Sequence, residues 1–534
     1  MGKTVDEMGD QTADKTKPAS ASAASALNAL DGRQQSQTTP DMAQLGKGLA
    51  LPGLIIGLLT GIAIYGIVEY WIDENDGARL GFTALLAVAT ASAAYLLLAE
   101  TRRFVSPLIG ALFIAGLLAG PDYFMTVVDG NAQADYTPFP AIFWFGVARG
   151  LVAYLLVTLF KAMLEEGAPP PYSGVFFHGV TMPLISAGAN VFAILALILL
   201  FAWARLLKEM DVTFFNELFQ EPWFILPFLG AIGGLSIAMM RGQQAVLGAL
   251  RYVILLFCRI AMPITAALTI TLFMVLAAKG PAAVYETPAP STIMICLAFA
   301  GMLIFNGVYQ NGEAKAPALW LRLSTIVALI GFPVYALLAF HAFSLRVEEY
   351  GLTPPRVIGL AITFLAAAYS AVCIAGLVSE LNWRARRWMA PVGPLNTLMA
   401  VLWVVVLTGL ATPFANPWAL SADSQYARIA NQKTSAKEFD YGYLRFKLGP
   451  YGENALTRLE GLNNHPEATE IRAGIARARQ APSYWAYKYP DQYSPIVETP
   501  VDEGDTTEAQ TPAAEAGPLD LELNPEGAPE DDPQ

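Results

Sequence analysis

Charge is scarce in this chain. Only 15% of its 534 residues are Asp, Glu, Lys or Arg, against about 25% in ordinary soluble domains, so a globular fold wetted on all sides is excluded. Cysteine is scarcer still: Cys258, Cys296 and Cys373 each lie inside an apolar run, with no pair at metal-ligand spacing. That excludes a disulfide scaffold and a cysteine zinc site. Three histidines, His178, His341 and His465, stand far apart and read as interfacial or solvated side chains, so no metal site is assigned. P-loop, Gly-x-Ser-x-Gly, His-Glu-x-x-His and dinucleotide fingerprints are all missing. No catalytic residue and no cofactor follow, and the chain leans away from being an enzyme.

What is abundant is apolar surface. Hydrophobic residues make up 54% of the chain, gathered in runs of about 20, the length that crosses about 30 Å of hydrocarbon. The expected fold class is all-α, a polytopic transmembrane helix bundle of about eleven spans, ten to twelve being compatible with the pattern. They fall at 48–72, 78–99, 104–121, 141–160, 176–204, 222–240, 246–278, 290–309, 317–343, 356–379 and 391–413. The run 246–278, holding Arg251, Arg259 and Pro263, reads as one long kinked helix. Asp211 to Trp223 reads as a short amphipathic surface helix. Trp71, Trp144, Trp203, Trp223, Trp320, Trp388 and Trp418 fall near span ends and read as interfacial anchors.

The polar remainder divides the chain into four parts. Residues 1–47 lack apolar periodicity and are expected to be a disordered tail; the transmembrane domain covers 48–413; a small helical extramembrane module covers 414–497; and 498–534 is expected to be a disordered acidic, Pro-rich tail. The first apolar run begins too far from the N-terminus for a cleaved signal peptide. Glu498 to Asp532 holds twelve acids and no base, which accounts for the whole net charge of −12. The rest is neutral, so no nucleic-acid partner is expected; the lipid bilayer is. In the module, Ser435 with Glu438 fits a capping box, and Pro466 opens a helix carrying Arg472, Arg477 and Arg479.

Orientation follows from basic residues in short loops. With the N-terminus inside, the inward segments hold Lys47, Arg102, Arg103, Lys161, Arg241, Arg251, Lys315, Arg322, Arg384, Arg386 and Arg387, and the outward ones Arg79, Arg205, Lys208, Lys279, Arg346 and Arg356. The excess puts the N-terminus in the cytoplasm, and an odd span count puts the C-terminus in the periplasm.

Charged groups inside spans are costly and point to function. Glu69, Arg149 and Arg259 form the candidate intramembrane network. Arg149 is expected to bond Glu69 or backbone carbonyls, and the competing reading has Arg149 or Arg259 receive an anionic headgroup or phosphate. Asp122, Asp129 and Asp135 read as a solvated loop, which leaves no acid in the middle of a span.

The most distinctive string is Arg346-Val-Glu-Glu-Tyr350-Gly351-Leu-Thr353-Pro-Pro-Arg356, where Gly351 suits a helix C-cap, Thr353 the next N-cap and Pro354 its first position. A second series follows the last span: Ser424-Gln425-x-x-Arg428, then Asp440 with Leu444-Arg445-Phe446, then Tyr451-Gly452. Both resemble strings of a bacterial inner-membrane family, domain of unknown function 4153. The resemblance covers about 170 to 460. It implies a polytopic inner-membrane protein and supplies no catalytic residues.

Two functions stay open on these grounds. One is a non-catalytic multi-pass protein of the bacterial inner membrane whose extracytoplasmic module engages an envelope partner. The other is a transporter or lipid-handling protein that uses intramembrane arginines for an anionic substrate.

Overall fold

The computed structural model describes residues 39–72, 78–100, 103–129, 142–287, 289–312, 316–381 and 387–490. The expected acidic tail, nearly all of the expected N-terminal tail, and Asp135, Arg384 and Arg386 lie outside them. Eleven helices are long and apolar enough to cross a membrane, and no strand occurs among the described residues. The protein is an all-α, multi-pass membrane protein.

The spans are α1 (Thr39–Ile67, prolonged by a π turn at Val68–Ile72), α2 (Ala78–Leu98), α3 (Val105–Asp129), α4 (Arg149–Glu166, entered through a π turn at Trp144–Ala148), α5 (Tyr172–Lys208), α6 (Pro222–Gly242), α7 (Gln244–Lys279), α8 (Pro290–Tyr309), α9 (Leu319–Tyr350), α10 (Pro354–Glu380) and α11 (Val392–Leu410). A short helix at Phe214–Leu218 precedes α6, and Phe215 packs edge-on to Trp203 at 4.8 Å. Beyond the last span come α12 (Pro417–Ala430), α13 (Tyr441–Lys447), α14 (Gly449–Glu460), α15 (Ala468–Gln480) and α16 (Tyr484–Lys488).

Several boundaries differ from the expected ones. Helix α3 does not stop at Pro121 but runs through it, because a transmembrane helix tolerates an interior proline whose freed carbonyl finds another donor. Asp122 is therefore helical and fully buried, not part of a solvated loop. Helix α9 runs on to Tyr350, so Arg346 and Tyr350 occupy its last turns. Ser435 starts no helix: the segment is a turn tied to Glu467, whose carboxylate accepts from Ala436 N–H at 2.9 Å. Trp71, Trp203, Trp223 and Trp320 are half exposed, as anchors should be, whereas Trp144, Trp388 and Trp418 are buried and serve as core.

Helices α1 and α6 meet backbone to backbone. A side chain at Gly57 would overlap the Gly230 carbonyl, one at Gly230 the Gly57 carbonyl, and one at Gly234 the Gly53 carbonyl. Gly53, Gly57 and Gly61 recur every four residues and face Gly230 and Gly234, also four apart. Lipid gives helices no hydrophobic reason to associate, so such close approach supplies the attraction.

Two apolar cores organise the rest. One joins α7 to α11 around Phe305, Phe332 and Tyr335. The other runs from α2, α3 and α4 through α10 and α11 into the C-terminal helices, from Leu118 and Trp144 to Trp418, Ile429, Leu444, Leu456 and Ile475. The C-terminal helices and the bundle thus share a continuous core.

Candidate functional site

Three groups of charged and polar side chains among the described residues bear on the expected site residues. At the end that carries the C-terminal helices, Asp122 of α3 accepts from Arg149 Nε at 3.0 and 3.1 Å and from Trp144 Nε1 at 3.0 Å. Arg149 Nη2 also donates to the Leu86 carbonyl at 2.7 Å and to Thr90 Oγ1. The pair ties α2, α3 and α4 together. Of the partners expected for Arg149, a backbone carbonyl is met at Leu86, whereas Glu69 is exposed in the π turn after α1. The substitution has a simple cause: once α3 passes through Pro121, a carboxylate stands within bonding distance of Arg149, and Glu69 is not needed. The pocket beside this pair, between Trp144, Met125, Ile358 and Pro417, has room for about one water.

At the other end, the last carbonyls of α2 need donors, since a helix leaves its final turn unsatisfied. Arg241 of α6 donates to Leu96 and Ala99 carbonyls, and Lys161 of α4 approaches that of Leu98 at 3.5 Å. Both cations also suit the negative end of the helix dipole. Lys161 pairs with Glu100 at 3.1 Å and Glu165 at 3.0 Å, and Glu165 bonds His178 at 2.9 Å. His178, read from sequence as interfacial or solvated, is buried. This clasp escaped sequence reading because Lys161 and Arg241 look like loop charges when the spans are cut short at 160 and 240; the i,i+4 spacing of Lys161 and Glu165 was the available sign.

Arg259 lies apart from both groups, half-buried on α7, beside Cys258, which packs against Gly307 near the end of α8. The structure does not bring Glu69, Arg149 and Arg259 into one network. No group of three or more His, Cys, Asp or Glu side chains suited to a metal occurs among the described residues.

The third place is the joint between the α9–α10 turn and α12, where the first motif string meets Ser424, Gln425 and Arg428 of the second. Gly351 closes α9 with φ 78° and ψ −177°, a conformation open in practice to glycine alone. Gln425 Nε2 donates to the carbonyls of Tyr350 and Leu352 at 3.1 Å each, Ser424 Oγ accepts from Leu352 N–H at 3.0 Å, and Arg428 donates to the Glu349 carbonyl at 2.7 Å. Arg356 turns back onto the Gly351 carbonyl at 2.9 Å and over the Tyr350 ring. Thr353 occupies the N-cap position of α10 without a side-chain cap bond, and Arg346, one turn before Tyr350, is half-buried. Asp440 caps α13 through Tyr443 N–H at 2.8 Å and accepts from Tyr484 at 2.8 Å. Arg445 donates to the Ala478 carbonyl at 2.7 Å, Leu444 is fully buried, and a side chain at Gly452 would overlap the Leu444 carbonyl. Tyr451, half-buried, packs on the shared core. Burial pushes the Tyr443 phenol up, with Arg356 beside it opposing.

The contacts of Ser424, Gln425 and Arg428 make a structural latch that attaches α12 to the α9–α10 turn. Gln425→Ala, which strands two carbonyls, and Gly351→Ala, which strains the turn and crowds Gln425 and Arg428, are each expected to cost about 1–3 kcal/mol. Limited proteolysis reads the effect: cleavage between 411 and 440 should accelerate in both variants and stay at the wild-type rate in an exposed-site control such as Lys433→Ala. No protein-family model, no curated protein and no solved structure matches this chain.

Proposed function

We propose that the protein is a non-catalytic component of the bacterial inner membrane that holds its C-terminal helical module at the extracytoplasmic face, where the module engages an envelope partner. The observation that carries this reading is the latch: Ser424, Gln425 and Arg428 commit their polar atoms to the backbone of the α9–α10 turn, so they serve to place the module rather than to bind a substrate. The commitment of Arg149 to Asp122, Thr90 and Leu86 points the same way, because Nε and Nη2 are not left for an anionic cargo. The basic excess on the inward segments supports a cytoplasmic N-terminus, and the resemblance to domain of unknown function 4153 supports the bacterial inner membrane.

Reporter fusions test the placement. A periplasm-active reporter joined after Pro490 is expected to be active and a cytoplasm-active one silent, with the opposite pattern at residue 30. A cytoplasmic signal after Pro490 overturns the assignment of the module to the outer side.

A further inference from the structure

His465 closes the turn between α14 and α15. Its Nδ1 accepts from the Glu467 N–H at 3.1 Å, and its Nε2 lies 3.0 Å from the Ile429 carbonyl in the last turn of α12. A backbone N–H can only donate and a carbonyl can only accept. The ring that makes both bonds therefore carries its proton on Nε2 and none on Nδ1, which is the neutral imidazole. An imidazolium has N–H on both nitrogens, so it turns a donor towards the Glu467 N–H and loses that bond.

The surroundings show what the bond holds. Glu467 is the N-cap residue of α15, where backbone N–H groups have no partner within the helix and the dipole is positive, so a neutral acceptor suits the place and a cation does not. The Glu467 carboxylate ties the same turn to the segment after α12, accepting from Ala436 N–H at 2.9 Å and from Ser435 Oγ at 3.3 Å. Ile429, Ala436 and Ile471, which flank these bonds, belong to the shared core. Of the other charged groups on the elements that meet here, Arg472 is bonded to Asn463 and Arg428 to the Glu349 carbonyl. Asp423 pairs with Arg458, and Glu453 and Glu460 pair with Arg479. Lys433, Lys437, Glu438 and Glu470 are exposed.

From this geometry we propose that His465 is an acid-sensitive pin of the module. Neutral, it fastens the α14–α15 turn to the end of α12; protonated, it lets go of Glu467, and the start of α15 loosens while the latch at Gly351 holds. The bond is present while the ring is neutral and is lost as the pH falls. The inference goes beyond the proposed function and holds for either side of the membrane.

The test uses the full chain in nanodiscs at about pH 8 and about pH 5, the bounds between which an ordinary histidine changes charge. With nitrogen-labelled histidine, the solid-state NMR signal that His465→Asn removes should belong at the higher pH to a ring protonated on Nε2 and bare at Nδ1. A proton on Nδ1 there overturns the proposal. Hydrogen exchange is expressed as protection relative to unstructured peptide, so that the pH dependence of the exchange chemistry cancels. Protection of 467–472 should fall several-fold in acid, and that of 348–353 should not change. His465→Asn keeps an acceptor for the Glu467 N–H and gives up the Ile429 bond, so it should be less protected at the higher pH and lose nothing further in acid. Equal wild-type protection of 467–472 at both pH values overturns the proposal whether or not the variant folds. The same acid loss in His465→Asn also overturns it, by assigning the loss to a carboxylate such as Glu467.

Discussion

Arg149→Leu is expected to destabilise the detergent-solubilised protein by about 3–5 kcal/mol, because it leaves a fully buried Asp122 carboxylate without its counter-charge. Asp122→Asn should cost a similar amount by stranding a guanidinium that is only 15% exposed. Removing both charges in Arg149→Leu/Asp122→Leu should cost less than the sum, since no unpaired charge remains. Thermal melting followed by size-exclusion chromatography reads all three. Glu69→Gln should change nothing in either the wild-type or the Arg149→Leu background. A Glu69 variant that suppresses the Arg149→Leu defect would contradict the Asp122 pairing.

Gly57→Leu is expected to prevent α1 from docking on α6. The new side chain would enter the space held by the Gly230 backbone, and backbone cannot rotate aside as a side chain does. A cost of about 3 kcal/mol or more follows, at the upper end of overpacking, read as loss of the monodisperse peak and faster proteolysis of α1. Gly66→Leu is the control: the same substitution on the same helix, at a position where an added Cβ meets nothing within 4 Å, should leave the peak intact. If both variants behave alike, the glycine contact does not hold the pair.

The spans were legible because each must be apolar for about 20 residues whatever it packs against. Their ends were less so. Pro121 reads as a stop in isolation, and only the packing of α3 against α2 and α4 makes it an interior residue; with that boundary went the role of Asp122, and with Asp122 the partner of Arg149. Lys161, Glu165 and Arg241 were lost for the same reason, since basic residues at span ends look like loop charges until a neighbouring helix end needs donors. Gly53, Gly57 and Gly61 against Gly230 and Gly234 were readable as spacing, although which helices would meet was not. In the motif strings, Gly351 and Pro354 announced a tight turn from local chemistry alone. That Gln425 and Arg428 close on this turn from some 75 residues away is a long-range pairing that no local pattern encodes. Trp144, Trp388 and Trp418 sit near span ends like the other tryptophans, and only the core around them decides that they are buried.

The central claim is that the C-terminal helices and the bundle form one cooperative body through the latch. Hydrogen exchange on the full chain in nanodiscs tests it most directly. The account predicts that amides of 348–353 and 421–430 are protected together, and that Gln425→Ala/Arg428→Ala speeds exchange in both segments while α8 stays as protected as before. If 421–430 exchanges independently of the α9–α10 turn, with the double variant leaving both rates unchanged, the module is not held by the latch and the account is wrong.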